Sequence, residues 1–248
     1  MTTSTRRDGA WLRRFHPAPG APVRLVCFPH AGGSATFYFP VSRALSPSIE
    51  VLAVQYPGRQ DRRGEPGVGD IGELADRVVE ELLTLDATPP ALFGHSMGAM
   101  VAYEVARRLE REGIELPHLF VSGRRAPSRT REGRVHQLDD DGLIAEIEKL
   151  SGTDSRILGD PELLRMILPA IRSDYRAVES YRHVPGRPLR CPVTALTGDE
   201  DPQVTLDEAR AWSEHTAGDF ELKVYEGGHF YLNARAAAVM EAISARIA

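Results

Sequence analysis

The chain has 248 residues, 42% of them hydrophobic, 26% charged and 7% aromatic, with a formal net charge of −5. That apolar content excludes a disordered chain, and the length suffices for a core that needs no disulfide or metal staple. With 30 Lys and Arg against 35 Asp and Glu, the basic footprint of a nucleic-acid binder is missing, and no nucleic-acid partner is expected.

The N-terminal stretch MTTSTRRDGAWLRRFHPAPG has no apolar segment behind its positive charges, so no signal peptide is expected. No apolar run approaches the roughly 18 residues that span a bilayer, so no membrane partner is expected either. Six short, nearly continuous apolar runs are predicted as strands covered on both faces: Val23–Phe28, Val51–Gln55, Ala91–His95, His118–Ser122, Pro192–Thr197 and Phe220–Tyr225. Asp70–Leu85 places Ile71, Leu74, Val78, Leu82 and Leu85 at helical spacing behind an Asp cap. Met97–Arg111 and Asn233–Ile247 have the same character. This alternation predicts a mainly parallel α/β sheet with helices on both faces. Cys27 and Cys191 fall in or beside strands and read as two buried thiols of a reducing cytoplasm.

One stretch breaks the alternation. Between about residues 124 and 188 an Arg-rich loop and helical segments replace strands. Asp139, Asp140 and Asp141 precede a helix over Leu143–Leu150 that stops near Gly152. Asp160-Pro161-Glu162 reads as a cap with proline at the first helical position, leading a face of Leu163, Leu164, Ile167, Leu168 and Ile171, with a kink expected at Pro169. The whole of 1–248 is expected to be one domain, with this insertion as a subdomain at the edge or mouth of the sheet.

Two glycine motifs compete for attention. Gly67 to Gly72 fits G-x-G-x-x-G, but loop residues precede it where a dinucleotide site needs a strand, so it reads as a turn. Gly94-His95-Ser96-Met97-Gly98 has the right context. It follows an apolar strand and opens an amphipathic helix, the arrangement that lifts a serine hydroxyl above a sheet. Such a serine needs a base and an orienting acid, in the chain order Ser, Asp or Glu, His. Downstream, Thr197-Gly198-Asp199-Glu200-Asp201-Pro202 closes one predicted strand and Glu226-Gly227-Gly228-His229-Phe230 the next. Ser96 is therefore the candidate nucleophile and His229 the candidate base. Asp201 is preferred as the acid over Asp199, which reads as a turn residue just beyond its strand. The N–H of Met97 at the helix start is a candidate oxyanion donor, and Pro29-His30-Ala31-Gly32-Gly33 is the loop expected to give a second. His30 reads as a residue that orders this loop.

PHAGG, QYPGRQDRR, GHSMGA, GDEDP and GGHF, in that order and spacing, resemble the type II thioesterases, free-standing enzymes that serve polyketide synthases and nonribosomal peptide synthetases. The resemblance implies the α/β-hydrolase fold and a triad of Ser96, Asp201 and His229. It also implies an oxyanion hole made by the backbone N–H groups of Ala31 and Met97, and a lid over the acyl pocket at Arg124–Pro188. The implied activity is hydrolysis of acyl groups from phosphopantetheine on acyl or peptidyl carrier proteins, through an acyl-serine intermediate, in an editing role. No cofactor and no metal are called for, and a monomer is expected. Arg129 and Arg131 of the Arg-rich loop are candidate contacts for an acidic carrier protein, and Leu163, Leu164, Ile167 and Leu168 are expected to shield the acyl pocket. A carboxylesterase or acyl-CoA thioesterase, or a carrier-protein binder without catalysis, are the alternatives.

Overall fold

The computed structural model describes residues 9–86, 88–149 and 161–248. In chain order the elements are β1 (Leu12–Arg13), β2 (Val23–Phe28), α1 (Phe39–Leu45), β3 (Ile49–Val54), α2 (Ile71–Leu82), β4 (Pro90–His95), α3 (Met97–Arg111) and β5 (Leu119–Ser122). They continue with α4 (Asp140–Lys149), α5 (Pro161–Ser180), β6 (Val193–Gly198), α6 (Leu206–Arg210), β7 (Phe220–Tyr225), α7 (Tyr231–Ala234) and α8 (Ala236–Ile247). The strands form one sheet in the order β1-β3-β2-β4-β5-β6-β7. Every pairing is parallel except that of β1 with β3.

The continuous apolar runs are explained by burial on both faces, since successive side chains of a strand point to opposite sides. Val26, Phe28, Leu52, Val54 and Leu92 pack in one core with Leu74 and Val78 of α2 and with Val101 and Val105 of α3. Their neighbours Leu25, Cys27, Val51, Ala53 and Phe93 pack on the other side with Leu45 of α1 and with Val239 and Ile243 of α8. Asp70 caps α2 as expected, accepting the Glu73 N–H at 2.8 Å. Of the Gly67–Gly72 stretch, Gly67, Val68 and Gly69 are loop leading into that cap, and Ile71 and Gly72 open α2.

Several boundaries depart from the sequence expectation. The antiparallel β1 was not expected, because it lies in an Arg-rich segment without an apolar run. It is held by its ladder to β3 and by the Glu81 carboxylate of α2, which accepts the Trp11 and Leu12 N–H groups at 2.9 and 3.1 Å. The expected C-terminal helix divides at Arg235 into α7 and α8. α4 starts at Asp140, with Asp139 Oδ1 accepting the Gly142 N–H at 2.9 Å. The expected stop near Gly152 and the cap at Asp160 lie outside the described residues. α5 runs on through Pro169 to Ser180.

The expected apolar face of α5 divides rather than acting as one shield. Leu164 is buried, and Leu168 packs with Ile171, Leu143 and Ile147. Leu163 borders a cleft beside Ala31 and Phe37, and Ile167 and Ile171 reach both that cleft and the packed cluster. Among the described residues, no helix is long and apolar enough to cross a membrane.

Two histidines away from the sheet's C-terminal edge are locked into this core. His118 Nε2 meets Thr194 Oγ1 at 2.8 Å, and His215 lies between Tyr103 Oη (3.3 Å) and Ser128 Oγ (2.9 Å). Burial pushes both imidazoles down to about 4. They stay neutral when folded, whereas the unfolded chain protonates them below about 6.5. Their stabilising contribution is complete above that pH and is lost as pH falls toward 4, by up to about 1.4 kcal/mol per pH unit for each histidine. The urea midpoint should therefore hold from pH 8 to 7 and decline from pH 6.5 to 5. A midpoint unchanged across that range would contradict the neutral burial of these residues.

Candidate active site

β4 lies between β2 and β5, so the residue that follows it emerges at the centre of the sheet's C-terminal edge. That residue is Ser96, with φ 54° and ψ −117°, a conformation that side-chain-bearing residues rarely adopt. The turn closes because its flanking glycines have no side chains. A Cβ on Gly94 would stand 2.2 Å from the Gly98 carbonyl oxygen, and one on Gly98 would stand 2.0 Å from the Phe28 carbonyl oxygen. The Ser96 N–H is tied to the Ser122 carbonyl of β5 at 2.8 Å. Ser96 stands at the N-cap of α3, yet its hydroxyl makes no capping bond. It points to His229 Nε2 at 3.0 Å instead. Met97 opens α3, so its N–H belongs to the first-turn amides that have no acceptor within the helix.

His229 follows β7 at the edge of the sheet, and its loop returns over β6 and β5 to reach Ser96. Asp201, on the loop after β6, braces it. The two Asp201 oxygens lie 3.0 and 2.9 Å from His229 Nδ1, and Oδ1 also accepts the Gln203 N–H at 2.8 Å. Nδ1–H donating to Asp201 leaves Nε2 as an acceptor for the Ser96 hydroxyl. Asp199 does a different job: its Oδ1 accepts the Gly227 N–H at 2.8 Å and ties the two loops together. Ser96, His229 and Asp201 are thus brought into one line, and Asp199 is left outside it.

Two further imidazoles pack around His229. His95 lies 5.1 Å from the His229 ring, and His30 lies 6.0 Å from His95 and 4.8 Å from Phe37 and Phe230. Burial pushes His30 down to about 3, and it holds His95 well below the ordinary histidine range. Both are neutral at physiological pH. His95 Nδ1 also meets Ser122 Oγ at 2.9 Å, which in turn meets Tyr231 Oη at 2.7 Å.

Ser96 and His229 face a cavity of about 270 Å³. Arg124, Arg129, Arg131 and Tyr181 are among its other walls. Arg129 pairs with Glu214, and Arg131 pairs with Glu208 at 2.7 Å. Arg124 has no carboxylate partner among the described residues, its Nε has no acceptor, and burial pushes it down to about 9. A second cleft, of about 1040 Å³, shares His30 and Ala31 with the first and runs under Phe37, Leu163 and Ile167. Of the aromatics beside the HAGG loop, Phe37 borders this cleft, Tyr38 is buried with its hydroxyl on the Phe28 carbonyl, and Phe39 is exposed.

Sequence reasoning missed Asp174. It is 2% exposed on α5, bonded to Arg59 and to the Gly32 N–H of the HAGG loop. The available signal was its place three residues after Ile171, on the same buried stripe as Leu164 and Leu168. A carboxylate on such a stripe has to find partners.

A family model described as "Thioesterase domain" matches residues 23–247. The chain is 56% identical over 232 residues to the "Probable cadicidin biosynthesis thioesterase" of Streptomyces griseus. That match covers 94% of this chain and 64% of the relative, which is therefore considerably longer. It is also 56% identical over 234 residues to "Thioesterase PikA5" of Streptomyces venezuelae, covering 91% of this chain and 81% of that one. Among solved structures, the type II thioesterase BorB from the borrelidin biosynthetic cluster superposes with a TM-score of 0.92 at 55% identity, covering 97% of this chain and 99% of BorB.

The two acids are separable by substitution. Asp201→Asn should lower turnover of an activated acyl substrate by about 10³–10⁴, because it disturbs the His229 tautomer and no longer balances the imidazolium. Asp199→Asn keeps an acceptor for the Gly227 N–H and should cost about tenfold at most. Steady-state rates of the two variants check this, and a reversed order of losses would overturn the assignment.

Proposed function

The chain belongs to the thioesterase family as a type II member with the α/β-hydrolase fold, and we propose that Ser96 transfers acyl groups from phosphopantetheinyl carrier proteins to water. The observation that carries this reading is the continuous line from Asp201 through His229 to a serine whose hydroxyl is free of capping duty.

The chemistry follows from that line. His229 Nε2 takes the Ser96 proton as Oγ attacks the thioester carbonyl, and Asp201 stabilises the imidazolium that forms. The carbonyl electron pair moves onto oxygen, where the Met97 and Ala31 N–H groups receive it. Each such donor is typically worth about 10²–10³ in rate. Collapse of the intermediate breaks the C–S bond, and the imidazolium returns its proton to the departing sulfur. A thiolate leaves readily, so this step asks less of the acid than amide cleavage does. Water then attacks the acyl-Ser96 ester, with His229 again as base, and the carboxylic acid is released.

The two spaces that meet at Ala31 suit a two-part substrate. The Arg-lined cavity at Ser96 suits a pantetheine arm, and the cleft under Phe37, Leu163 and Ile167 suits an apolar acyl chain. The names of the relatives support a place in a biosynthetic assembly line, where removal of stalled acyl units is the editing role. Arg129 and Arg131 would receive an acidic carrier surface from the cavity rim. Their pairing with Glu214 and Glu208 already neutralises part of their charge, so a modest effect on encounter is expected of them.

The test is a hydrolysis panel: one acyl group offered on a carrier protein, on free pantetheine and as an oxygen ester. The reading predicts a higher kcat/KM for both thioesters than for the ester, and the highest for the carrier-bound form. Arg129→Gln/Arg131→Gln should lower kcat/KM on the acyl-carrier about three- to tenfold and weaken its salt dependence, while acyl-pantetheine is hydrolysed as before. Preference for the oxygen ester would overturn the thioesterase reading. Equal losses on both thioesters would show that the arginines support the loop rather than the partner.

A further inference from the structure

His30, Ala31, Gly32 and Gly33 form a tight turn. The Gly33 N–H donates to the His30 carbonyl at 2.9 Å, and Gly32 has φ +77°, the combination of a type II turn with glycine at its third position. Types I and II differ in which way the central peptide faces. Here that peptide joins Ala31 to Gly32, so whatever meets the Gly32 N–H selects its orientation.

The group that meets it belongs to α5. Asp174 Oδ2 accepts the Gly32 N–H at 2.7 Å, and both Asp174 oxygens accept from Arg59 Nη2 at 2.8 Å. Helix and turn are in contact: a Cβ at position 32 would stand 2.9 Å from the Ile171 side chain. Asp174 and Arg59 are 2% and 7% exposed, and Arg59 Nε and Nη1 have no acceptor among the described residues. Stability alone is a poor reason for such a pair, because apolar residues of similar volume often serve a buried position as well or better. What an apolar residue cannot do is accept the Gly32 amide. With the peptide reversed, the Ala31 carbonyl oxygen would face the Asp174 carboxylate, oxygen against oxygen.

We infer that Asp174 is a positioning residue for the oxyanion hole, fixing the Ala31–Gly32 peptide, and with it the turn that presents the Ala31 N–H, through the seat of α5 against that turn. The inference rests on the reading of Ala31 as an oxyanion donor. It makes the hole depend on the helical insertion: the donor turn is set only while α5 holds Asp174 over Gly32. A segment that walls the substrate cavities thereby also sets the reactivity of Ser96.

Removing Asp174 alone would strand the Arg59 charge, so the comparison is made in an Arg59→Met background. Arg59→Met/Asp174→Asn keeps an acceptor for Gly32, and Arg59→Met/Asp174→Leu removes it. Where leucine does not fold, Arg59→Met/Asp174→Ala removes the acceptor without adding volume. Among variants that unfold at similar temperatures, loss of the acceptor should lower kcat about 10- to 100-fold relative to the Asn variant, with KM within about twofold. Affinity for an alkylboronic acid, which forms a tetrahedral adduct with the Ser96 hydroxyl, should fall by a similar factor. Equal kcat and equal boronate affinity in the folded variants would overturn the inference and leave Asp174 a packing residue. If the unaltered enzyme neither turns over thioesters nor acylates Ser96, the underlying reading fails first and the inference falls with it.

Discussion

The backbone of Ser96 is the constraint on which the rest of the site depends. A serine held at φ 54° is strained by about 1–3 kcal/mol and persists only where its surroundings over-determine it. They do so here from every side. β4 is locked between β2 and β5, the Ser96 N–H is bonded to β5, and α3 packs its buried face across the sheet. The glycines at 94 and 98 let the strand end, the helix start and the end of β2 meet without side chains between them. The result is a hydroxyl held clear of the helix cap beside a first-turn amide, so that the proposed nucleophile and oxyanion donor stand on consecutive residues.

Burial keeps the imidazoles beside this turn neutral, so that they do not oppose the charge that the proposed mechanism places on His229. A second charged imidazole at the 5.1 Å separation of His95 would oppose the His229 imidazolium by about 3 kcal/mol at an effective dielectric constant near 20. Burial prevents that by keeping His95 and His30 neutral. Asp201 supplies an opposing charge in contact with the ring, on the nitrogen away from Ser96. The same economy of charge extends to the rim, where Arg129 and Arg131 are paired, while Arg124 faces the cavity without a carboxylate partner among the described residues.

The parallel sheet and the grouping of Ser96, Asp201 and His229 were legible in the sequence for a common reason. Strands buried on both faces leave long apolar runs, and the residues that follow them emerge at one edge. The apolar runs Pro192–Thr197 and Phe220–Tyr225 announced the two loops that carry the acid and the base. Features held by distant polar contacts left no such periodic trace. β1 depends on Glu81, 69 and 70 residues away in sequence. The face of α5 was read as one stripe, but it divides between the packing against α4 and an open cleft. Asp174 acts on a turn 142 residues away, and only its oddness on a buried stripe marks it.

The central claim is that Ser96 takes the acyl group, and it is tested most directly by catching the intermediate. The enzyme is mixed with excess acyl-pantetheine, acid-quenched within a single turnover, and examined by intact-protein and peptide mass spectrometry. The account predicts one acyl adduct, confined to the peptide that contains Ser96 and absent in Ser96→Ala, whose fold is unchanged. An adduct on any other residue, or undiminished thioester hydrolysis by Ser96→Ala, would contradict it.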